Sequence, residues 1–171
     1  MLPKKERTLQ ELEKLIRALA WNENFGCYTR AGFEKMIWPE IAQRARWIIY
    51  FDVDDVHMLN EELGSYEPVD AMIKQVLATL RLTDFVAGQW KSGDEFLICL
   101  VESDQQLPLI RSQREHIDPK GMMERLIDEL QKQGLTATFA IVPVLSNDLS
   151  MNVKPAVDQV YAGKKARGIS R

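Results

Sequence analysis

Apolar positions along the chain first outline an amphipathic helix. Leu9, Leu12, Leu15, Ile16 and Leu19 recur at helical intervals after Thr8-Leu-Gln-Glu11, whose spacing is that of a capping box, and the pattern ends near Trp21. Such a stripe needs a partner surface, either the rest of this chain or a dimer-forming or signal-receiving partner. Asn22 to Arg30 is loop-like, and Gly32 to Ala45 predicts a helix interrupted or restarted around Pro39. Trp47-Ile-Ile-Tyr-Phe-Asp-Val53 is continuous apolar sequence broken only by its Asp, which predicts a central strand covered on both faces with Asp52 at its C-terminal end. Asp55 to Leu63, closed by Gly64, and Pro68 to Leu82, with Val69, Ile73, Val76 and Leu77 on one face, predict two helices. Phe85 to Lys91 and Phe96 to Val101 then predict two strands joined by a turn at Ser92-Gly93. Ser103 to Lys120 shows no clear period. Asp118-Pro119 suits the cap and first turn of a helix reaching about Gln133, Leu135 to Val144 predicts a strand, and Val153 to Arg167 a final helix.

Composition narrows the class. A chain of 171 residues, 46% hydrophobic and 27% charged, suits one compact domain. A net charge of -3 excludes a broad basic footprint for a nucleic acid polymer or an anionic membrane, so any phosphate must be bound locally. Cys27 and Cys99 fit buried thiols in a reducing compartment better than a disulfide, since Cys99 lies inside the run Phe96-Leu-Ile-Cys-Leu-Val101. No apolar stretch approaches the ~20 residues of a membrane span, and Met1-Leu-Pro-Lys-Lys-Glu-Arg7 lacks a signal-peptide core, so a cytoplasmic location is expected.

Two acidic clusters carry the chemistry. Asp52-Val-Asp54-Asp55 falls where a buried strand ends, and Gly93-Asp94-Glu95 falls at a hairpin turn. Carboxylates gathered at a strand end repel one another unless a cation lies between them, and Mg²⁺ prefers one or two carboxylates with water and substrate phosphates. Acidic residues after strands are also common with no metal, and both readings stay open on spacing alone. His57 and His116 are too isolated to suggest zinc.

The run Phe51-Asp-Val-Asp-Asp-Val-His-Met-Leu-Asn60, followed by Gly64 and Asp70, and the turn Ser92-Gly-Asp-Glu-Phe96 together resemble the GGDEF-domain (diguanylate cyclase) family, as a divergent member with an SGDEF signature. Thr29-Arg30-Ala-Gly-Phe33 is similar to that family's Asn-Arg-x-x-Phe motif and Tyr161-Ala-Gly-Lys164 to its Tyr-x-Ala-Lys helix, so the resemblance spans roughly residues 22 to 168. It implies a palm-like α/β (α+β) nucleotidyl-cyclase fold, a mostly antiparallel central sheet flanked by helices, over residues 22–171, with residues 1–21 as a separate N-terminal helix. It further implies condensation of two GTP into cyclic di-GMP and pyrophosphate, with Mg²⁺ or Mn²⁺, by a transient or stable homodimer. The resemblance places the metals on Asp52, the Val53 carbonyl, Asp94 and Glu95, the last two also catalytic. It places guanine on Asn60 and Asp70, whose donor and acceptor groups suit that base, and the phosphates near His57, Ser92, Gly93, Lys164 and Arg167. The basic end of the last helix equally fits a dipole-matched terminus. Arg81-Leu-Thr-Asp84 has the form of the family's product-inhibition site, and also that of a helix-ending Arg before a turn Asp. Gly88-Gln89 would then be a bulge absorbing extra residues before the signature turn.

Several positions depart from the family pattern: His57 stands for a usual Lys, Ser92 for the first Gly of the signature and Ser65 for a usual His, Asp55 adds charge beside the acids, and Tyr161 to Gly168 scrambles the usual ending. These leave an alternative function, a catalytically degenerate module that binds GTP or cyclic di-GMP and acts as a regulatory domain. A palm polymerase of the CRISPR type would share the strand-end acids, but the Asn60 and Asp70 matches argue against it.

Overall fold

A computed structural model of the chain describes residues 4–80, 84–91, 93–102 and 117–169, the side chains of 4–7, 9 and 17 excepted. Helix α1 (Lys4–Ala20) leads into the two-residue strand β1 (Trp21–Asn22) and then β2 (Cys27–Thr29). A broken helix follows as α2 (Arg30–Gly32), a π-helical turn (Phe33–Ile37) and α3 (Trp38–Ile41). The rest of the order is β3 (Ala45–Val53), α4 (Val56–Leu63), α5 (Glu67–Leu77), β4 (Asp84–Gly88), β5 (Glu95–Val101), α6 (Pro119–Lys132), β6 (Ala137–Pro143) and α7 (Leu149–Arg167). Among the described residues the strands form one six-stranded sheet in the order β1-β2-β4-β5-β3-β6, antiparallel throughout except between β2 and β4. This is the mixed α/β architecture with a mostly antiparallel sheet that the sequence predicted.

β3 is central, between β5 and β6, and Ile48 to Val53 are all buried, because helices cover both faces. Its side chains alternate between two cores. Ile48 and Tyr50 pack with Leu97, Cys99, Val153, Val157 and Val160 beneath α7, while Ile49, Phe51 and Val53 pack with Ile98, Ile73, Val76 and Leu126 beneath α5 and α6. Asp52 shares the phase of Tyr50 and therefore faces α7, a placement that decides what it can meet.

Several boundaries differ from the sequence reading. Residues 22–30, expected to be loop, contain the end of β1 and all of β2, strands too short for a period of two to show. The helix expected to reach Ala45 stops at Ile41, with the Trp38 amide donating to Phe33 O across the π turn before Pro39, which has no N–H to give. The last helix starts at Leu149 rather than Val153, capped by Asp148, whose carboxylate accepts from the Ser150 amide, so Pro155 lies inside it. The helix stripe also faces outward: Leu12, Leu15, Ile16 and Leu19 are 51%, 56%, 41% and 67% exposed, so docking on the chain's own domain does not cover it. The end of α1 is fitted to the domain, where a Cβ on Gly32 would meet Ala20 O at 2.5 Å.

Candidate functional site

The two acidic clusters meet. β3 and β5 pair so that Asp52 stands opposite Glu95, and the Val53 amide donates to Asp94 O at 3.0 Å. That bond makes 53/94 a hydrogen-bonded pair and 52/95 the closer pair beside it, with both carboxylates on the α7 side of the sheet. Carboxylates far apart in sequence are thereby neighbours at one strand end, and like charges placed so repel unless something positive intervenes.

The intervening charge is Lys164. The residue is 6% exposed, and its ammonium donates to Asp52 Oδ1 and, at 3.3 Å, to the carbonyl of Val53. Asp54 Oδ1 lies 3.6 Å from the same nitrogen. One turn on, Arg167 Nη2 pairs with Asp54 Oδ2 at 3.3 Å and donates to Thr138 Oγ1, while the Thr138 hydroxyl donates to Asp54 Oδ1 at 2.9 Å. α7 can approach β6 this closely because residue 163 is Gly, where a Cβ would sit 3.1 Å from the Thr138 methyl. Burial dominates the balance at Asp52, raising its pKa to about 6 although the Lys164 bond and charge pull it down. The neighbouring charges of Asp94 and Glu95 add to the rise.

Glu95 is fixed from two sides. Tyr161 Oη donates to its Oε1 at 2.6 Å and the Lys91 amide to its Oε2 at 2.8 Å, with the Lys91 ammonium 5.0 Å above the Tyr161 ring. Tyr50 is fully buried on the same face, and its pKa is raised by burial and then by the charge of Glu95. The turn before Glu95 contains the expected irregularity. Gly88 pairs with Phe96, the Trp90 amide donates to Glu95 O at 3.0 Å, and Gln89 between them takes φ 52°, so it is a one-residue bulge. Gly88 must lack a side chain, since its Cβ would meet Cys27 Sγ at 2.8 Å. Arg30 grips this turn, donating to Trp90 O at 3.1 Å with its guanidinium 5.1 Å from the indole centre.

Beside the acids opens a cleft of about 290 Å³ lined by Phe25, Val56, His57, Asn60, Tyr66, Asp70, Gln89, Gly93 and Asp94. It gathers Asn60, Asp70, His57, Gly93 and Asp94 from three separate stretches of chain. Asn60 is 7% exposed, and its Oδ1 has no hydrogen-bond partner among the described residues. A buried amide oxygen in that state costs about 1–3 kcal/mol, which a ligand N–H would relieve. Burial also raises the pKa of Asp70. His57 is exposed and ion-pairs with Glu61 across 3.2 Å when protonated. Asp55 is exposed and adopts φ 56°, turning the chain from β3 into α4, and that conformational task is what the structure shows for it.

Ser92 and Arg81 lie outside the described residues. Asp84 is described: it starts β4 opposite Leu100, 8% exposed, at the end of that strand away from Gln89. Among the described residues no three His, Cys, Asp or Glu side chains form a ready-made ion cage. By donor type the set still suits a hard cation: Asp94 lines the cleft, and beneath it Asp52, Glu95 and the Val53 carbonyl are buried and offer oxygen alone. Sequence reasoning did not assign Tyr50, Thr138, Tyr161 or Arg30 a place here. Tyr50 was accessible in principle, being two residues before Asp52 on one strand, whereas the others depend on how helices pack.

No family model matches the chain, and no curated protein matches it in sequence. Solved structures match it in fold, GGDEF domains among them. The diguanylate cyclase SiaD from Pseudomonas aeruginosa, in complex with its activator SiaC, aligns with TM-score 0.66 at 19% identity over 95% of this chain, which spans 66% of the SiaD chain. A sensory box/GGDEF family protein from Caulobacter crescentus gives TM-score 0.64 at 13% identity, covering 86% of this chain and 99% of that one. The GGDEF domain of DgcB from the same organism, in complex with c-di-GMP, gives 0.62 at 15% identity, covering 89% and 90%. The chain therefore has the fold of GGDEF domains across nearly its whole length.

Proposed function

We propose that this chain is one half of a diguanylate cyclase: it binds GTP in the cleft, and two copies condense two GTP into cyclic di-GMP and pyrophosphate. The observation that carries this reading is the meeting of Asp52 and Glu95 in one register at the edge of a cleft whose buried Asn60 oxygen lacks a donor. Asn60 and Asp70 take the guanine edge, one amide and one carboxylate matching its N–H and carbonyl groups. Lys164 and Arg167 take the terminal phosphates, and His57, Ser92 and Gly93 border them. Mg²⁺ or Mn²⁺, held by Asp52, the Val53 carbonyl, Asp94 and Glu95, would neutralise charge on the reacting phosphate. Tyr161 and the Lys91 amide orient Glu95, so the carboxylate keeps one direction at the moment of reaction. The new bond joins a 3′-oxygen to the α-phosphorus of the other nucleotide; the bond to the departing pyrophosphate breaks, and the hydroxyl proton passes to solvent water. Cys27 and Cys99 are free, buried thiols, which suits a reducing compartment such as the cytoplasm. No helix among the described residues is long and apolar enough to cross a membrane.

The test is chromatography of purified, concentrated protein incubated with GTP and Mn²⁺. Cyclic di-GMP is expected, and Asp94→Asn should lower turnover at least about 100-fold while the thermal melt is kept. A second reading, a regulatory module that binds GTP or cyclic di-GMP without turnover, is favoured by the 3.2 Å pairing of His57 with Glu61. GTP or cyclic di-GMP binding with no product in either protein would select it.

A further inference from the structure

We infer that the Lys164 ammonium is a built-in plug of the metal position, so that this protein takes up a divalent ion together with nucleotide and only weakly before it. The inference rests on the proposed metal-nucleotide reading and adds an order of events to it. Lys164 Nζ donates to Asp52 Oδ1 and to Val53 O, two of the oxygens that reading gives to the metal. An ion bonded to both oxygens at the ~2.1 Å typical of Mg²⁺ would lie within bonding reach of a nitrogen already touching them. The two cations exclude each other by contact as well as by charge.

The plug is held in place by burial and packing. Lys164 is 6% exposed and follows Gly163, the residue that lets α7 lie against Thr138. Its displacement leaves a buried ammonium without a counter-charge unless a new anion arrives, and a triphosphate is such an anion. Neighbouring carboxylates compensate only in part: Asp54, 3.6 Å from the ammonium, is shared with Arg167 and Thr138, and Glu95 receives Tyr161 and the Lys91 amide. Triphosphate and metal therefore help each other bind, each by the same factor. A protein so arranged is protected from idle occupancy of its acids by divalent ions.

Mn²⁺ titration followed by the electron paramagnetic resonance signal of the free ion tests this without reference to turnover. For the wild-type protein, saturating GTP should tighten Mn²⁺ binding at least about tenfold, within the usual range of coupling between sites. Lys164→Met should bind Mn²⁺ in the absence of GTP at least about tenfold more tightly than wild type, and GTP should then add much less. Lys164→Gln, which keeps a donor for Asp52 but no charge, should behave likewise if the Met variant fails to fold, as read by circular dichroism. Equal Mn²⁺ affinity of folded wild type and variant without GTP overturns the inference and leaves the metal site standing. Absence of Mn²⁺ binding in both proteins, with and without GTP, overturns the metal-nucleotide reading itself.

Discussion

At the scale of single residues, Asp52 is the informative one, because its environment sets a measurable pH dependence. Burial lifts its pKa from 3.8 to about 6 in the folded protein, against the pull of Lys164. The folded state then holds more protons than the unfolded state between about pH 4 and 6. Stability consequently falls as pH rises through that window and is level above it, as far as this group is concerned. Asp52→Asn removes the effect. In a chelating buffer, the stability of the variant minus that of wild type should rise by on the order of 2 kcal/mol from pH 4 to pH 7, as measured by urea unfolding. A difference that stays flat with pH would mean that Asp52 is ionised throughout. Much of this residue was legible in the sequence: an Asp at the end of an apolar run must be partly buried and must face one side of the sheet. What the sequence did not disclose was its partner. Lys164 was read as a phosphate ligand or a dipole-matched residue, and neither reading includes a contact with Asp52, because that contact depends on where α7 crosses β3.

At the scale of elements, the site depends on how α7 is aimed, since it carries Tyr161, Lys164 and Arg167. Its start is fixed by Asn152, which is 4% exposed. The Asn152 Oδ1 accepts from the Leu145 and Ser146 amides at 2.8 and 3.0 Å, and its Nδ2 donates to Ser146 O and Asp148 O at 2.6 and 3.1 Å. Asn152→Ala would leave four backbone groups of the β6–α7 connection without these bonds. A loss of about 2–4 kcal/mol is expected in urea unfolding, larger than that of Asn152→Asp, which keeps the two acceptor bonds. Equal losses in both variants would show that the donors, not the acceptors, hold the loop. The sequence reading placed this helix four residues late: Asp148 is the cap, and Pro155 lies inside the helix. Long apolar strands such as β3 and β5 were legible from their composition. β1 and β2 were not, since two or three residues carry no period and their pairing with each other and with β4 is a tertiary fact.

At the scale of the whole molecule, the outward stripe of α1 separates the stability of the domain from whatever α1 meets. Leu12 and Leu19 are 51% and 67% exposed, whereas Ala20, at the end of the same helix, is 6% exposed against the domain. A leucine already half in water gives up little apolar burial when it becomes charged, so the double variant Leu12→Glu/Leu19→Glu should melt within about 2 °C of wild type. The comparison is made by calorimetry at low protein concentration, where association between copies contributes least. A fall of 10 °C or more would place the stripe in the domain's own core and return α1 to the role of a covering helix. With the melt unchanged, the same variant separates two properties of the proposed cyclase. One cleft holds one nucleotide, so product needs two chains, and dilution should lower the turnover per chain of wild type. If α1 is what brings the chains together, the variant should already behave at high concentration as wild type does when dilute. If turnover and its dilution profile are unchanged, the chains meet elsewhere, and the stripe serves a different partner.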